Sequence, residues 1–236
     1  MAKVTITVAS CNTPQGHHDV IRNSPVKRAV VLRRLLNKED VDVICMQEYG
    51  PALTPGWKRG KNWSVVEGAN NNRPNQRKAY NAIAYRNDRL RVLDTRQLSF
   101  RLPGRSINMP VVLFEDKVTK VAFVVIGVHV PTRRDATARK RLAINARLIA
   151  YALRCERRGY PVIVAGDRND GHLLPWVKPF KRGVQHQVDW VLGSASVAFT
   201  GGKKIYSVFK TVSDHPAMVL VKAHLKGSNT TSDDLP

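Results

Sequence analysis

The chain has 236 residues, enough for one sizeable buried core, and its 43% hydrophobic and 24% charged residues exclude wholesale disorder. With 39 Lys and Arg against 18 Asp and Glu, the formal net charge is +21, a field that favours DNA, RNA or an anionic membrane surface. Three widely spaced cysteines, Cys11, Cys45 and Cys155, exclude a disulfide framework or a zinc knuckle and fit a reducing compartment.

In chain order, residues 3–10 alternate Thr with Val and Ile as a strand does, without the apolar core or cleavage site of a secretory signal. The stretch SPVKRAVVLRRLLNKED predicts a helix, with Ser24 as N-cap and Pro25 at the first helical position. VDVICMQ then reads as a buried strand, and the order strand, helix, strand implies a parallel crossover. Residues 50–78 read as a long surface loop with a short strand at WSVVE. Trp57 and Trp63 there either anchor the core or stack bases, and His17, His18 and Asp19 read as a solvated loop. NAIAYR, RVLDTRQLSFRL, MPVVLFED and VTKVAFVVIGVHV follow one another as β segments, predicting antiparallel pairing.

Residues 132–159 predict a second long helix, with Leu142, Ala146, Ile149 and Leu153 as its apolar face and Gly159 as its stop. PVIVAG, QVDWVLG, SVAFT, IYSVFK and AMVLVKAHL complete the β segments. Nothing marks a domain boundary, so a single domain over 1–226 is expected, with 227–236 as a disordered polar tail. No segment is apolar for long enough to span a bilayer, and a cytoplasmic monomer without membrane insertion is expected.

Polar residues that bind cations or move protons recur at strand ends: Asn12, Glu48, His129, Asp167, Asn169, Asp189, Asp214 and His215. Singly, each reads equally well as a turn or a solvated residue. In order, Asn12, QE at 47–48, HVP at 129–131, GDRN at 166–169, VDWVL at 188–192 and SDHPAMVL at 213–220 resemble the endonuclease/exonuclease/phosphatase superfamily, which includes deoxyribonucleases, deadenylases and inositol-polyphosphate phosphatases.

That resemblance implies a four-layer α/β sandwich, with two mixed β-sheets packed face to face and helices outside. It implies a divalent cation, Mg²⁺ or Mn²⁺, held by Glu48 with Asn12 and Asp214 in support. It also implies that Asp167 orients or deprotonates the attacking water, that Asn169 holds a non-bridging oxygen, that His215 contacts the phosphate with Asp189 behind it, and that His129 binds phosphate or protonates the leaving oxygen. The family's deoxyribonucleases pair this last histidine with a carboxylate; here the segment offers Asn81 instead. Arg73, Arg77, Lys78, Asn81, Arg133 and Arg134 are the candidates for gripping a nucleic-acid backbone. A nuclease is the leading expectation. The rivals are a phosphatase or phosphodiesterase of a small or lipid substrate, and a catalytically silent nucleic-acid-binding protein.

Overall fold

The computed structural model describes residues 2–14, 21, 23–68, 80–169, 180–227 and 234–236. The chain runs β1 (Ala2–Asn12), α1 (Pro25–Lys38), β2 (Val43–Tyr49), α2 (Thr54–Lys58), β3 (Trp63–Glu67), β4 (Tyr80–Arg86), β5 (Leu90–Leu102), β6 (Arg105–Asp116), β7 (Ala122–His129), α3 (Ala138–Arg157), β8 (Val162–Asp167), β9 (Lys181–His186), β10 (Asp189–Gly193), β11 (Val197–Ile205) and β12 (Met218–Gly227).

Local chemistry starts α1 where periodicity places it, while α3 starts at Ala138 rather than at residue 132 as expected. Ser24 Oγ accepts from the Lys27 amide at 3.4 Å, and Pro25 sits in the first turn, where a missing N–H costs nothing. Thr137 caps α3 in the same way, and Gly159 follows its end with φ 88°, a conformation that glycine adopts without strain.

The strands form two six-stranded mixed sheets, in the orders β11-β12-β1-β2-β4-β3 and β5-β6-β7-β8-β10-β9. Each is built around one parallel pair, β1 with β2 and β7 with β8, joined by α1 and α3 respectively. Val8, Val125, Ile163 and Val221 belong to the apolar layer between the sheets. Leu32 and Leu36 of α1 pack on the outside of the first sheet, and Ile144 and Leu148 of α3 on the outside of the second. The result is the expected four-layer α/β sandwich.

Several expectations are corrected. β4 is not in a meander with β5: it pairs with β2 and β3, so the chain changes sheet between Arg86 and Leu90. The apolar face assigned to α3 is its wetter side, with Leu142 exposed and Ile149 only partly covered. The buried stripe is Arg141, Ile144, Asn145, Leu148, Tyr151, Ala152 and Cys155. It escapes a hydrophobic pattern because it carries two polar residues. Beyond Ile205, which ends β11, IYSVFK is no strand; its centre is a tight 3-10 turn closed by the Phe209 amide on the Tyr206 carbonyl. β9 had no legible signal, since KRGVQH is polar and lies at the sheet's edge, paired with β10. Trp57 and Trp63 are buried edge to face, 5.7 Å apart, and so are core anchors. The tail is not disordered at its end: Leu235 lies in the outer core of the second sheet, and its amide donates to Asp94 at 3.0 Å. No described helix is long and apolar enough to cross a membrane.

Candidate active site

Parallel strands finish at one edge, where side chains leave the ladder and can converge on a ligand. Asn12 ends β1, Gln47 and Glu48 end β2, His129 ends β7 and Asp167 ends β8. In the second sheet the register sets His129, Asp167 and Asp189 side by side on three neighbouring strands. Asp214 and His215 arrive from the loop before β12, in the first sheet.

The two sheets meet through side chains. His215 Nδ1 lies 2.8 Å from Asp189 Oδ2, across the gap between the sheets. Its Nε2 lies 3.0 Å from Asn12 Nδ2 and 3.8 Å from Asp167 Oδ2. Asn12 Nδ2 also donates to Glu48 Oε1 at 3.4 Å, and His129 Nε2 stands 3.6 Å from Asp167 Oδ2. One connected set therefore runs from Glu48 through Asn12 to His215 and Asp189, with Asp167 and His129 beside it.

Backbone geometry is spent on this set. Glu48 has φ 54° and Asn169 φ 48°, left-handed conformations that cost non-glycine residues stability and persist where surrounding structure enforces them. Asn169 is enforced by its amide on Asp167 Oδ1 at 2.6 Å and its Nδ2 on the Val130 carbonyl at 2.8 Å. Gly166 has φ 151°, and a Cβ there would meet the Val128 carbonyl oxygen at 1.9 Å. Only glycine lets β8 approach β7 this closely just before Asp167.

Burial alone would lower the His215 pKa, but the hydrogen bond to Asp189 and the charges of Asp189, Asp167 and Asp214 outweigh it, raising the imidazole to about 9. Burial pushes Asp167 and Asp189 above the ordinary carboxylate range, and the two histidines oppose that shift. The neighbouring carboxylates thus favour the protonated form of the imidazole.

Two oxygen donors belong to this set. Glu48 is half-buried, and Asn12 Oδ1 is buried with no hydrogen-bond partner among the described residues. A carbonyl oxygen left without a donor is costly, and a hard cation would satisfy it together with Glu48. No group of three or more His, Cys, Asp or Glu placed to hold a metal occurs among the described residues. Mg²⁺ fits such a sparse donor set, because it keeps several waters and takes only one or two carboxylates.

Not every expected residue joins the site. Asn81 is buried, and its Nδ2 donates to the Asn108 carbonyl at 2.8 Å. Arg133 and Arg134 are exposed in the turn after β7. Arg141, which follows them on α3, is buried and reaches the Asn169 carbonyl at 3.4 Å. Arg73, Arg77, Lys78, His17 and His18 lie outside the described residues. Sequence reasoning missed Ser213, whose Oγ accepts from the His215 amide at 3.0 Å; a serine two residues before a histidine in a turn was the available signal. It also missed Arg168, stacked 4.3 Å above the Trp190 ring.

This rim on a two-sheet sandwich defines a class of proteins that generally hydrolyse phosphoester bonds with the help of a divalent metal. The chain belongs to the Endonuclease/Exonuclease/phosphatase family, whose sequence profile matches residues 12–215. No curated protein matches the chain. Among solved structures, an endonuclease/exonuclease/phosphatase from Bacteroides vulgatus superposes with a TM-score of 0.78 at 15% identity, covering 94% of this chain and 100% of that one. The Bacteroides thetaiotaomicron mannosyl-6-phosphatase Bt3783 gives 0.72 at 16% identity, over 92% and 99%. TDP2 from D. rerio, complexed with a single-strand DNA product, gives 0.66 at 15% identity, over 94% and 99%.

Proposed function

We propose that this chain is a divalent-cation-dependent phosphodiesterase that hydrolyses the backbone of DNA or RNA with little sequence preference. The observation that carries the reading is the connected set from Glu48 to Asp189, closed across both sheets, in a chain of net charge +21. A Mg²⁺ or Mn²⁺ ion held by Glu48, Asn12 and Asp214 would neutralise charge on the phosphoryl oxygens and make a bound water more acidic.

The remaining roles belong to the chain's own groups. Asp167, buried and backed by the Asn169 amide, is placed to orient the attacking water and take its proton. His215 presents Nε2 to a phosphoryl oxygen while Asp189 fixes the other ring nitrogen, so a positive charge stands ready where negative charge accumulates. Asn169 and His129 flank the same position, the first for a non-bridging oxygen and the second for the leaving oxygen. Contacts to backbone carry no base code, hence the low sequence preference.

The test is incubation with plasmid, single-stranded DNA, RNA, a phosphoinositide and a sugar phosphate, each with Mg²⁺ or EDTA. Metal-dependent cleavage of the nucleic acids that Glu48→Ala removes is the expected result. Turnover of a small phosphate ester alone would favour a phosphatase, the activity named for the neighbour Bt3783. Binding without cleavage in any metal would sink the enzymatic reading.

A further inference from the structure

The outer face of the first sheet changes character along its length. Ala9 and Cys11 of β1 and Met218 and Leu220 of β12 lie in the apolar layer under α1. Residues two apart on a strand share a face, so Lys3 and Thr5 of β1 and Lys222, His224 and Lys226 of β12 continue it toward the other end of both strands. There Lys3, Lys222 and Lys226 are exposed.

Lys3 and Lys226 stand directly opposite each other in the antiparallel register. Like charges so placed repel, and among the described residues no carboxylate pairs with either, or with Lys222 or Lys181. The nearby acids are engaged elsewhere: Asp42 accepts from the Thr7 amide and pairs with Arg89, and Glu156 accepts from Ser196. His224 is clamped among the lysines, with Nδ1 2.9 Å from Thr5 Oγ1 and Nε2 2.7 Å from Thr200 Oγ1. A cavity of about 390 Å³ opens at this end, lined among others by Lys3, Thr5, Lys181, Ser196, His224 and Lys226, with no acidic residue in its wall.

We propose that this face is a second nucleic-acid site, which holds the sugar–phosphate backbone of the strand whose scissile bond lies in the catalytic cleft. Unpaired, opposed lysines cost stability unless a polyanion lies across them, and alternate residues on β12 space such groups by roughly 6.8 Å. The inference rests on the nuclease reading for its substrate but on different residues for its evidence. Lys3 and Asn12 are nine strand steps apart, roughly 30 Å. A strand stacked at 3.4 Å per nucleotide spans both sites with about nine nucleotides, and a stretched one with roughly half as many.

The test compares the full chain with the triple variant Lys3→Ala, Lys222→Ala, Lys226→Ala, using single-stranded oligonucleotides of about three and about thirty nucleotides. For the long oligonucleotide, the slope of log affinity against log salt should fall by about two, at roughly 0.7 per lysine removed, and cleavage should lose KM rather than kcat. The short oligonucleotide should be cut as by wild type. Lys226→Glu, which sets an acid opposite Lys3, should raise the thermal midpoint while weakening binding of the long oligonucleotide, an outcome that damage to the fold cannot produce. An unchanged salt slope in the triple variant overturns the proposal. So does retained nucleic-acid binding with loss of binding to anionic lipid vesicles, which would assign the face to a membrane. Long-oligonucleotide binding through these lysines without any cleavage supports the second site and removes the nuclease reading; cleavage with unaltered variant binding does the reverse.

Discussion

The two parallel units, β1-α1-β2 and β7-α3-β8, share one topology and end at one rim, yet they bring different chemistry to it. The first ends in Asn12 and Glu48, hard oxygen donors suited to a cation. The second ends in His129 and Asp167, with Asp189 on the adjoining strand, a set suited to holding and moving protons. Neither half alone makes the arrangement. His215 comes from the first sheet and donates from Nδ1 to Asp189 in the second, so the cleft exists only when the sheets are packed face to face.

The difference can be broken from either side. Glu48→Ala, in the first unit, is expected to lower metal-dependent phosphodiester hydrolysis by at least about 10³-fold, with the thermal midpoint nearly unchanged because the residue is half-buried and left-handed. Calorimetric titration with Mg²⁺ should show the loss as lost binding. Asp189→Asn, in the second unit, should cost roughly 10²-fold in kcat by releasing the ring of His215, while Mg²⁺ affinity stays near wild type. If both variants lost the metal equally, the division of labour between the units would be wrong.

Smaller effects sharpen the comparison at the level of packing. Leu148→Ala in α3 should destabilise by about 2–5 kcal/mol in urea titrations, whereas Leu142→Ala, six residues earlier and exposed, should stay within about 0.5 kcal/mol. The smallest effect concerns the ionic tie away from the cleft, where Arg89 bridges Asp42 of the first sheet's edge at 2.7 Å and Asp116 of the second sheet at 3.3 Å. Burial would raise the Asp116 carboxyl, but hydrogen bonds from the Thr119 amide and hydroxyl, with Arg89, hold it below the usual carboxylate range. A depressed folded pKa stabilises above the unfolded value of about 3.9 and loses that contribution as pH falls through the folded value. Asp116→Asn should therefore be less stable than wild type by roughly 1–2 kcal/mol at neutral pH, and the gap should close as urea titrations are carried below about pH 4.

Much of the site was legible because its residues sit where apolar runs stop. VDVICMQ, VAFVVIGVHV and PVIVAG identify buried strands by composition, and a polar residue at the end of each must leave the core, which picks out Glu48, His129 and Asp167. Less legible was any residue whose role depends on a neighbour distant in sequence. Asn81 reads as a polar strand residue, but burial turns its amide onto Asn108. Arg141 reads as one more surface cation, yet packing of α3 brings it to the Asn169 carbonyl. The face of α3 was misread for the same reason, since a stripe with Arg141 and Asn145 in it becomes apolar enough to bury only once those polar groups lie against the sheet.

By itself the sequence determined the local vocabulary: the helix capped at Ser24, the crossover unit it belongs to and the polar residues at strand ends follow from short-range sterics, capping and hydrophobic period, and the order of those residues gives the family resemblance. The tertiary structure alone decided that β4 joins the first sheet, that Glu48 and Asn169 are held left-handed, and that His215 meets Asp189 across the gap. Those outcomes depend on which surfaces bury each other, a long-range choice made by the packing of two sheets that no window of sequence contains.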